Sequence, residues 1–363
     1  LLWDKSRRAA EFGLRNRVGR DDTLKIESIR ANKKSLIKNH PMIDQVKLGR
    51  TNVIVSEIGL GTAPLGSLYG KVREADAIAT IQRAFERGIT HFDTAPLYGI
   101  GYGDGKTSSE ELLGKALAGI SRERYTITTK VGRVVNDAGK MVFDFSRDGV
   151  MRSIEQSLTR LKMNRVDVLL VHDPDVENKF DDALNFAFPT LIELREQGVV
   201  GAIGAGMNQW EMPMQFVLRS DPDCFLLAGR YTLLEQTSLE FLRLCIERKI
   251  GIFAGGTLNS GILATGAVAG AKYNYQDAPN DILDRVKKIE TVCTRHGIPL
   301  RVAALQFPAA HPAIASRVFG AITPSEVDDN LDAMSMTIPS QLWQDLRDEG
   351  LIDANAPVPH PVE

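Results

Sequence analysis

Apolar and polar positions along this chain fall into two alternating periods. A period-2 pattern comes first, at residues 46–48 and 53–55 on either side of Gly49-Arg50-Thr51-Asn52, and reads as a β-hairpin. Short apolar runs of β type follow at residues 57–61, 91–94, 125–131, 166–172, 200–204, 225–230, 251–254 and 317–321. Between them lie stretches of helical period, such as 74–87, 109–118, 148–161, 182–197 and 281–295. Ser109 with Gly119, and Asp182 with Gly198, supply the cap residues that two of these helices need. Eight strand–helix units without a Pro-rich linker predict a single (β/α)8 TIM barrel, preceded by the hairpin and followed by a C-terminal tail. A doubly wound open sheet is the competing architecture, and the strand count and even spacing favour the barrel.

A barrel makes a sharp demand, because its chemistry sits where strands end and loops begin. Asp93 and Tyr98 lie in Phe92-Asp93-Thr94-Ala95-Pro96-Leu97-Tyr98-Gly99, at and just beyond the end of one strand. Lys130 lies in Thr128-Thr129-Lys130-Val131-Gly132 and His172 in Leu169-Leu170-Val171-His172-Asp173. A carboxylate and a phenol with a lysine nearby form a proton-transfer device, and four ionisable groups at the ends of three successive strands exceed what core packing requires. A plain Asp93–Lys130 ion pair and a satisfied core histidine are the bland alternatives.

Composition changes this picture little, and charge changes it at one end. Residues 1–41 carry 11 Lys/Arg against 5 Asp/Glu, a surplus of six that leaves −8 on the remainder of a 363-residue chain of net charge −2. This basic segment lacks the apolar core of a secretory signal and the interleaved aromatics of a nucleic-acid binder. It reads as an extension, disordered or non-native, ahead of a barrel domain over residues 42–363. No run of about 18 apolar residues occurs, so no membrane partner is expected. Cys224, Cys245 and Cys293 have no metal-ligand spacing and read as reduced, buried thiols of a cytoplasmic protein.

Three further patterns fall short. Residues 99–107 nearly spell a phosphate-binding loop, but Ile100 stands where its first glycine belongs. Gly201-Ala202-Ile203-Gly204-Ala205-Gly206 misses the dinucleotide fingerprint spacing. His172-Asp173-Pro174-Asp175 could ligate a metal, yet the other histidines do not lie at strand ends to complete a set, so no metal is expected.

Taken together, Asp93, Tyr98, Lys130 and His172 in their local contexts resemble the aldo-keto reductase superfamily, over about residues 46–350. The resemblance implies a barrel that binds a nicotinamide dinucleotide. Within it the stretches at 56–66, 228–236, 258–266 and 303–312 resemble the aldose 1-dehydrogenase branch, which includes L-fucose, L-galactose and pyridoxal 4-dehydrogenases. The implied reaction is NAD-dependent oxidation of a sugar's cyclic hemiacetal to a lactone. Pyridoxal oxidation, or a nicotinamide-binding regulatory subunit, are the alternatives.

In the implied roles Tyr98 takes the anomeric hydroxyl proton, Lys130 brings the phenol down from its usual pKa of about 10, Asp93 holds Lys130, and His172 orients the substrate oxygen. The implied cofactor contacts are Gly61, Thr62, Ala63, Asn208, Gly255, Gly256, Leu258, Ser260, Gly320, Ala321, Thr323, Glu326 and Asn330. Two positions depart from the family pattern. Gly206-Met207 replaces the usual Ser-Asn pair, with Asn208 following, and Gly255 stands where an aromatic ring usually underlies the nicotinamide. Gly320 and Glu326 replace the basic pair of NADP-preferring relatives, which implies NAD. Asp104, Arg133, Tyr231 and Tyr273 are candidate sugar contacts.

Overall fold

A computed structural model describes residues 43–359, apart from 68, 69, 101–107 and 137. The basic segment over residues 1–41 and the candidate contact Asp104 lie outside the described residues. The first two strands, β1 (Gln45–Lys47) and β2 (Ile54–Ser56), pair antiparallel with Val46 opposite Val55, forming the expected hairpin. Then come β3 (Ile58–Gly61), β4 (His91–Asp93), β5 (Thr126–Val131), a small hairpin of β6 (Arg133–Val135) and β7 (Met141–Phe143), β8 (Val168–His172), β9 (Ala202–Met207), β10 (Cys224–Ala228) and β11 (Gly251–Gly255). A second small hairpin, β12 (Lys272–Tyr273) and β13 (Gln276–Asp277), precedes β14 (Ile314–Gly320). Strands β3, β4, β5, β8, β9, β10, β11 and β14 close into a barrel in that order, each parallel to its neighbours.

Alternation along each strand separates two cores. Leu60, Phe92, Ile127, Leu169, Ile203, Phe225, Ile252 and Phe319 face outward into the layer shared with the helices. Val168, Leu170, Ala202, Cys224, Leu226, Phe253 and Val318 fill the inside, together with Leu48 and Val55 from the N-terminal hairpin. The hairpin therefore plugs one end of the barrel. Each such buried aliphatic side chain stabilises the closed form by about 1.5–3 kcal/mol. Arg50, in the hairpin turn, anchors the plug through Asp223 (3.2 Å) and Asp221, and Arg195 shares both carboxylates.

Several local expectations need correction. Strand β9 runs on to Met207 because Ala205 and Met207 continue its outward row. The cap of helix Ser109–Ala116 is Ser108, whose Oγ accepts from Glu111 N–H; Ser109 sits inside the helix and its hydroxyl donates to Thr62 O (2.9 Å). Asp182 is not a cap either. It lies within a continuous helical run whose middle, Ala183–Ala187, widens to a π-helix before Phe188–Glu196. Pro189 has no N–H for the carbonyl four residues back and its ring crowds that carbonyl, so the turn opens. All three cysteines are buried and unpaired. No helix among the described residues is long and apolar enough to cross a membrane.

One polar layer crosses the barrel interior. Ser316 Oγ donates its single proton to Ser56 O (2.8 Å), so it can only accept from His91 Nδ1 (3.0 Å). The other ring nitrogen, Nε2, then accepts from Thr128 Oγ1 (3.0 Å). Burial, followed by the Lys130 charge, pushes the His91 pKa from 6.5 down to about 3. Because this folded-state value lies below the unfolded one, acidification favours the unfolded chain, and the contribution is lost as pH falls from 6.5 toward 3.

Two outcomes are expected. Over that window, stability from urea unfolding should fall more steeply in the wild type than in His91→Gln, by up to about 1.4 kcal/mol per pH unit; equal slopes would refute a neutral His91. A Cβ on Gly204 would lie 1.7 Å from Cys224 O, a backbone atom. Gly204→Ala should accordingly lose at least about 1–3 kcal/mol, and an unchanged denaturation midpoint would contradict this strand packing.

Candidate active site

The C-terminal ends of β4, β5 and β8 bring the four sequence-selected residues to one mouth of the barrel. Asp93 ends β4, Lys130 points inward near the end of β5, and His172 ends β8. Lys130 is 1% exposed, and its Nζ has three acceptors: Asp93 Oδ1 (2.8 Å), Asp93 Oδ2 (2.9 Å) and the Thr94 carbonyl (2.8 Å). An ammonium has three N–H groups, so this set uses all of them. Burial raises the Asp93 pKa, and Lys130 acts against that rise. Neighbours hold the clamp in register. Thr62 gives both its N–H and its hydroxyl to Asp93 O (2.8 and 3.1 Å), while Thr129 donates to the buried Glu110 (2.6 Å), which also takes Arg160 (2.7 Å).

Tyr98 follows the tight turn after β4. Its N–H bonds Ala95 O (3.2 Å) and its carbonyl takes Ser109 N–H (3.0 Å), which fixes it against the next helix. The Lys130 ammonium is 4.9 Å from the ring centroid, and the ring meets His172 edge-on at 5.8 Å. The expectation that Lys130 lowers the phenol's pKa is not met in this arrangement. Removal from water, then Asp93 and Asp173, push Tyr98 well above 10, and Arg133 acts downward. The physical reason is burial first, and then the Asp93 carboxylate, which is bound to Lys130 through both oxygens and acts on the ring with the opposite sign to the ammonium.

His172 is buried and held neutral, first by desolvation and then by the charges of Lys130 and Arg133. Its Nδ1 has no hydrogen-bond partner among the described residues, and its Nε2 lies 3.5 Å from Asp173 Oδ2. Asp173 Oδ2 in turn accepts from Arg133 Nη1 (2.6 Å). Burial, against the pull of Arg133, carries the Asp173 pKa from 3.8 up to about 6. Arg133 thus lies beside the site as expected, whereas Asp173 was read from sequence only as half of an unconvincing metal pair.

Around the rim, starting beside Asp93 and His172 in register, the strand ends carry glycines. Alternation turns Gly61, Gly206, Gly255 and Gly320 inward near the ends of β3, β9, β11 and β14. A Cβ there would meet Val318 (3.2 Å), Lys130 Cε (3.3 Å), Leu226 (3.2 Å) and Pro64 (2.6 Å) respectively. At these four positions the close neighbours leave no room for a Cβ without a shift or a tight contact. Asn208 follows the end of β9, with its Nδ2 3.4 Å from the hydroxyl of Tyr275. Tyr275 is 60% exposed on the turn between β12 and β13, and its N–H bonds Ser260 Oγ (3.0 Å). Sequence reasoning missed it. Asn274 and Tyr275 both take left-handed backbone angles, as a tight two-residue hairpin requires, but no glycine marks the turn.

The remaining candidates divide. Ala63, Gly256, Leu258, Ser260, Gly320 and Thr323 keep at least partial exposure, while Ala321 and Asn330 are buried. Glu326 Oε2 accepts from Ile322 N (2.8 Å), and Thr323 Oγ1 accepts from Glu326 N–H (3.2 Å), so this carboxylate caps helix Pro324–Ser335. Thr62 is corrected as a cofactor contact: it is fully buried and its N–H, hydroxyl and carbonyl are all engaged within the protein. Tyr231 is corrected as a sugar contact. It is 2% exposed and packs on Phe307 (5.3 Å) and His311 (5.0 Å), in the outer core. The Tyr273 hydroxyl is committed to Glu235 (2.5 Å).

Comparison with known proteins identifies the family and agrees with the barrel fold. Residues 57–348 match the family model described as the aldo/keto reductase family. A pyridoxal 4-dehydrogenase from Microbacterium luteolum is 38% identical over 84% of this chain and 97% of its own. A D-threo-aldose 1-dehydrogenase from a Pseudomonas species is 34% identical over 82% of this chain and 95% of its own. In fold, an aldo-keto reductase from Bacillus halodurans, solved in its holo form, superposes with a TM-score of 0.69 at 24% identity, covering 86% of this chain and 98% of that one. The chain is an oxidoreductase that belongs to the aldo/keto reductase family.

Proposed function

We propose that this enzyme oxidises the anomeric carbon of an aldose, bound as its cyclic hemiacetal, to a lactone with NAD as the acceptor. The observation that carries the reading is the convergence of Tyr98, His172 and the Lys130–Asp93 pair at one mouth of the barrel. The inward glycines place bare backbone at the strand ends, where a nicotinamide ring would lie. Asn208 would hold the ring's carboxamide, and Gly256, Leu258, Ser260, Gly320 and Thr323 would hold the remainder of the dinucleotide. The bound cofactor accepts the hydride and, when oxidised, adds a positive charge to the mouth.

The chain's own residues do the rest. The anomeric hydroxyl sits between the Tyr98 hydroxyl and the His172 imidazole. A neutral His172 directs the oxygen and does not compete for its proton. As the C1–H bonding pair departs as hydride, Tyr98, in its phenolate form, takes the hydroxyl proton and a C=O double bond closes. Tyr98 is a phenol in the unliganded arrangement, so its base form depends on added positive charge nearby. Lys130 contributes a fixed part of that charge, and Asp93 prevents it from swinging into the substrate.

Preference for NAD rests on the segment from Gly320 to Asn330, which contains no Lys or Arg. Glu326 lies in the first turn of its helix, and an extra phosphate there would meet a like charge. A second reading, oxidation of pyridoxal, is favoured by the 38% identity to the pyridoxal enzyme. Pyridoxal also closes to a cyclic hemiacetal, and the same residues would serve.

An NAD-reduction screen over L-fucose, L-galactose, D-arabinose and pyridoxal separates the two readings. Turnover of at least one aldose above pyridoxal supports the first, and turnover of pyridoxal alone replaces it with the second. With the preferred substrate, kcat/KM should be at least about tenfold higher with NAD than with NADP, the size of one lost or repelled charge contact; a clear NADP preference would overturn the cofactor assignment. Tyr98→Phe should lose about 100-fold or more in kcat, and near-wild-type turnover would remove Tyr98 from proton transfer.

A further inference from the structure

Asp173 combines three features that a plain ion pair at a strand end does not need. Its backbone is left-handed, with φ of +43°, a conformation that costs most residues free energy and that tends to persist where function requires it. An N–H bond to Gly206 O (3.0 Å) holds that turn and ties β8 to β9 at the mouth. The carboxylate comes to rest with Oδ2 3.5 Å from His172 Nε2 and 2.6 Å from Arg133 Nη1. The side chain keeps 18% exposure. The oxygen beside the imidazole is thus the one that arginine fixes, and a carboxylate oxygen that accepts one hydrogen bond has a lone pair left for a second.

In the pose proposed above, a substrate oxygen bonded to the His172 imidazole would bring the hydroxyl on the adjacent carbon toward this carboxylate. We propose that Asp173 is a specificity-determining residue, whose carboxylate accepts a hydrogen bond from a hydroxyl on the carbon next to the one oxidised, with Arg133 fixing its direction. The inference rests on the proposed hemiacetal oxidation and extends it, because it names the substrate feature that the site reads. It selects α-hydroxylated carbonyl compounds and their cyclic forms over deoxy analogues. Arg133 serves here as a positioning residue.

The test compares substrate pairs that differ by that one hydroxyl, in the wild type and in Asp173→Asn. Asn tolerates the left-handed backbone, so the turn is retained while the charge is removed. The pairs are L-fucose with 2-deoxy-L-fucose in oxidation, and glyceraldehyde with 3-hydroxypropanal in reduction. Wild-type kcat/KM should favour the α-hydroxylated member by about ten- to hundredfold, the size of a charge-assisted hydrogen bond. In Asp173→Asn the hydroxylated member should fall at least about tenfold further than its deoxy partner. No wild-type preference, or an equal fall for both members, would overturn the proposal and leave Asp173 as a structural counter-ion. If the pattern appears with glyceraldehyde while neither sugar is oxidised, the role of Asp173 stands and the aldose reading fails.

Discussion

A lysine ammonium buried in the neck of a barrel is tolerable only if every one of its protons is placed. Lys130 meets that condition with two carboxylate oxygens of Asp93 and one carbonyl of Thr94. Removing one partner from such a pair typically costs about 3–5 kcal/mol. The surrounding structure is consistent with that penalty. The β4–β5 register sets Asp93 beside Thr128, Thr62 secures the Asp93 carbonyl, and the Glu110–Arg160 pair braces Thr129 from behind.

The same fixed charge organises the protonation of its neighbours. After desolvation, Lys130 is the next cause that keeps both His91 and His172 neutral. His91 consequently acts as a plain donor–acceptor bridge across the barrel, and His172 as a neutral director at its mouth. Tyr98 and Asp173 are shifted in the opposite sense, toward their protonated forms, because burial disfavours their anions. Burial thus favours the uncharged forms of the groups around the fixed Lys130–Asp93 pair.

How much of this was readable beforehand depends on what each residue type reveals on its own. Barrel strands are apolar on the outward face and bounded by helical stretches, so all eight could be placed from pattern, and strand ends then located Asp93, Lys130 and His172. The end of β9 was missed because Gly204 and Gly206 carry no hydropathy signal, although Ala205 and Met207 extend the outward row. Neighbouring serines look alike as caps, and only the Ser109–Thr62 bond tells them apart. Tyr231 resembles any loop tyrosine until its packing on Phe307 is seen. Asp173 was hidden by its neighbour: next to a histidine it suggests a metal, whereas its left-handed backbone and its bond to Arg133 are tertiary facts.

The central claim is that Tyr98, buried beside a clamped lysine, is the group that accepts the substrate proton. The pH dependence of kcat/KM for oxidation tests it most directly. Its acid form dominates in the unliganded enzyme, so the rate should climb with pH and still be rising at the alkaline end, above the histidine range of about 6.5. A profile that levels off near neutrality would assign the proton to His172 or Asp173 and contradict the account.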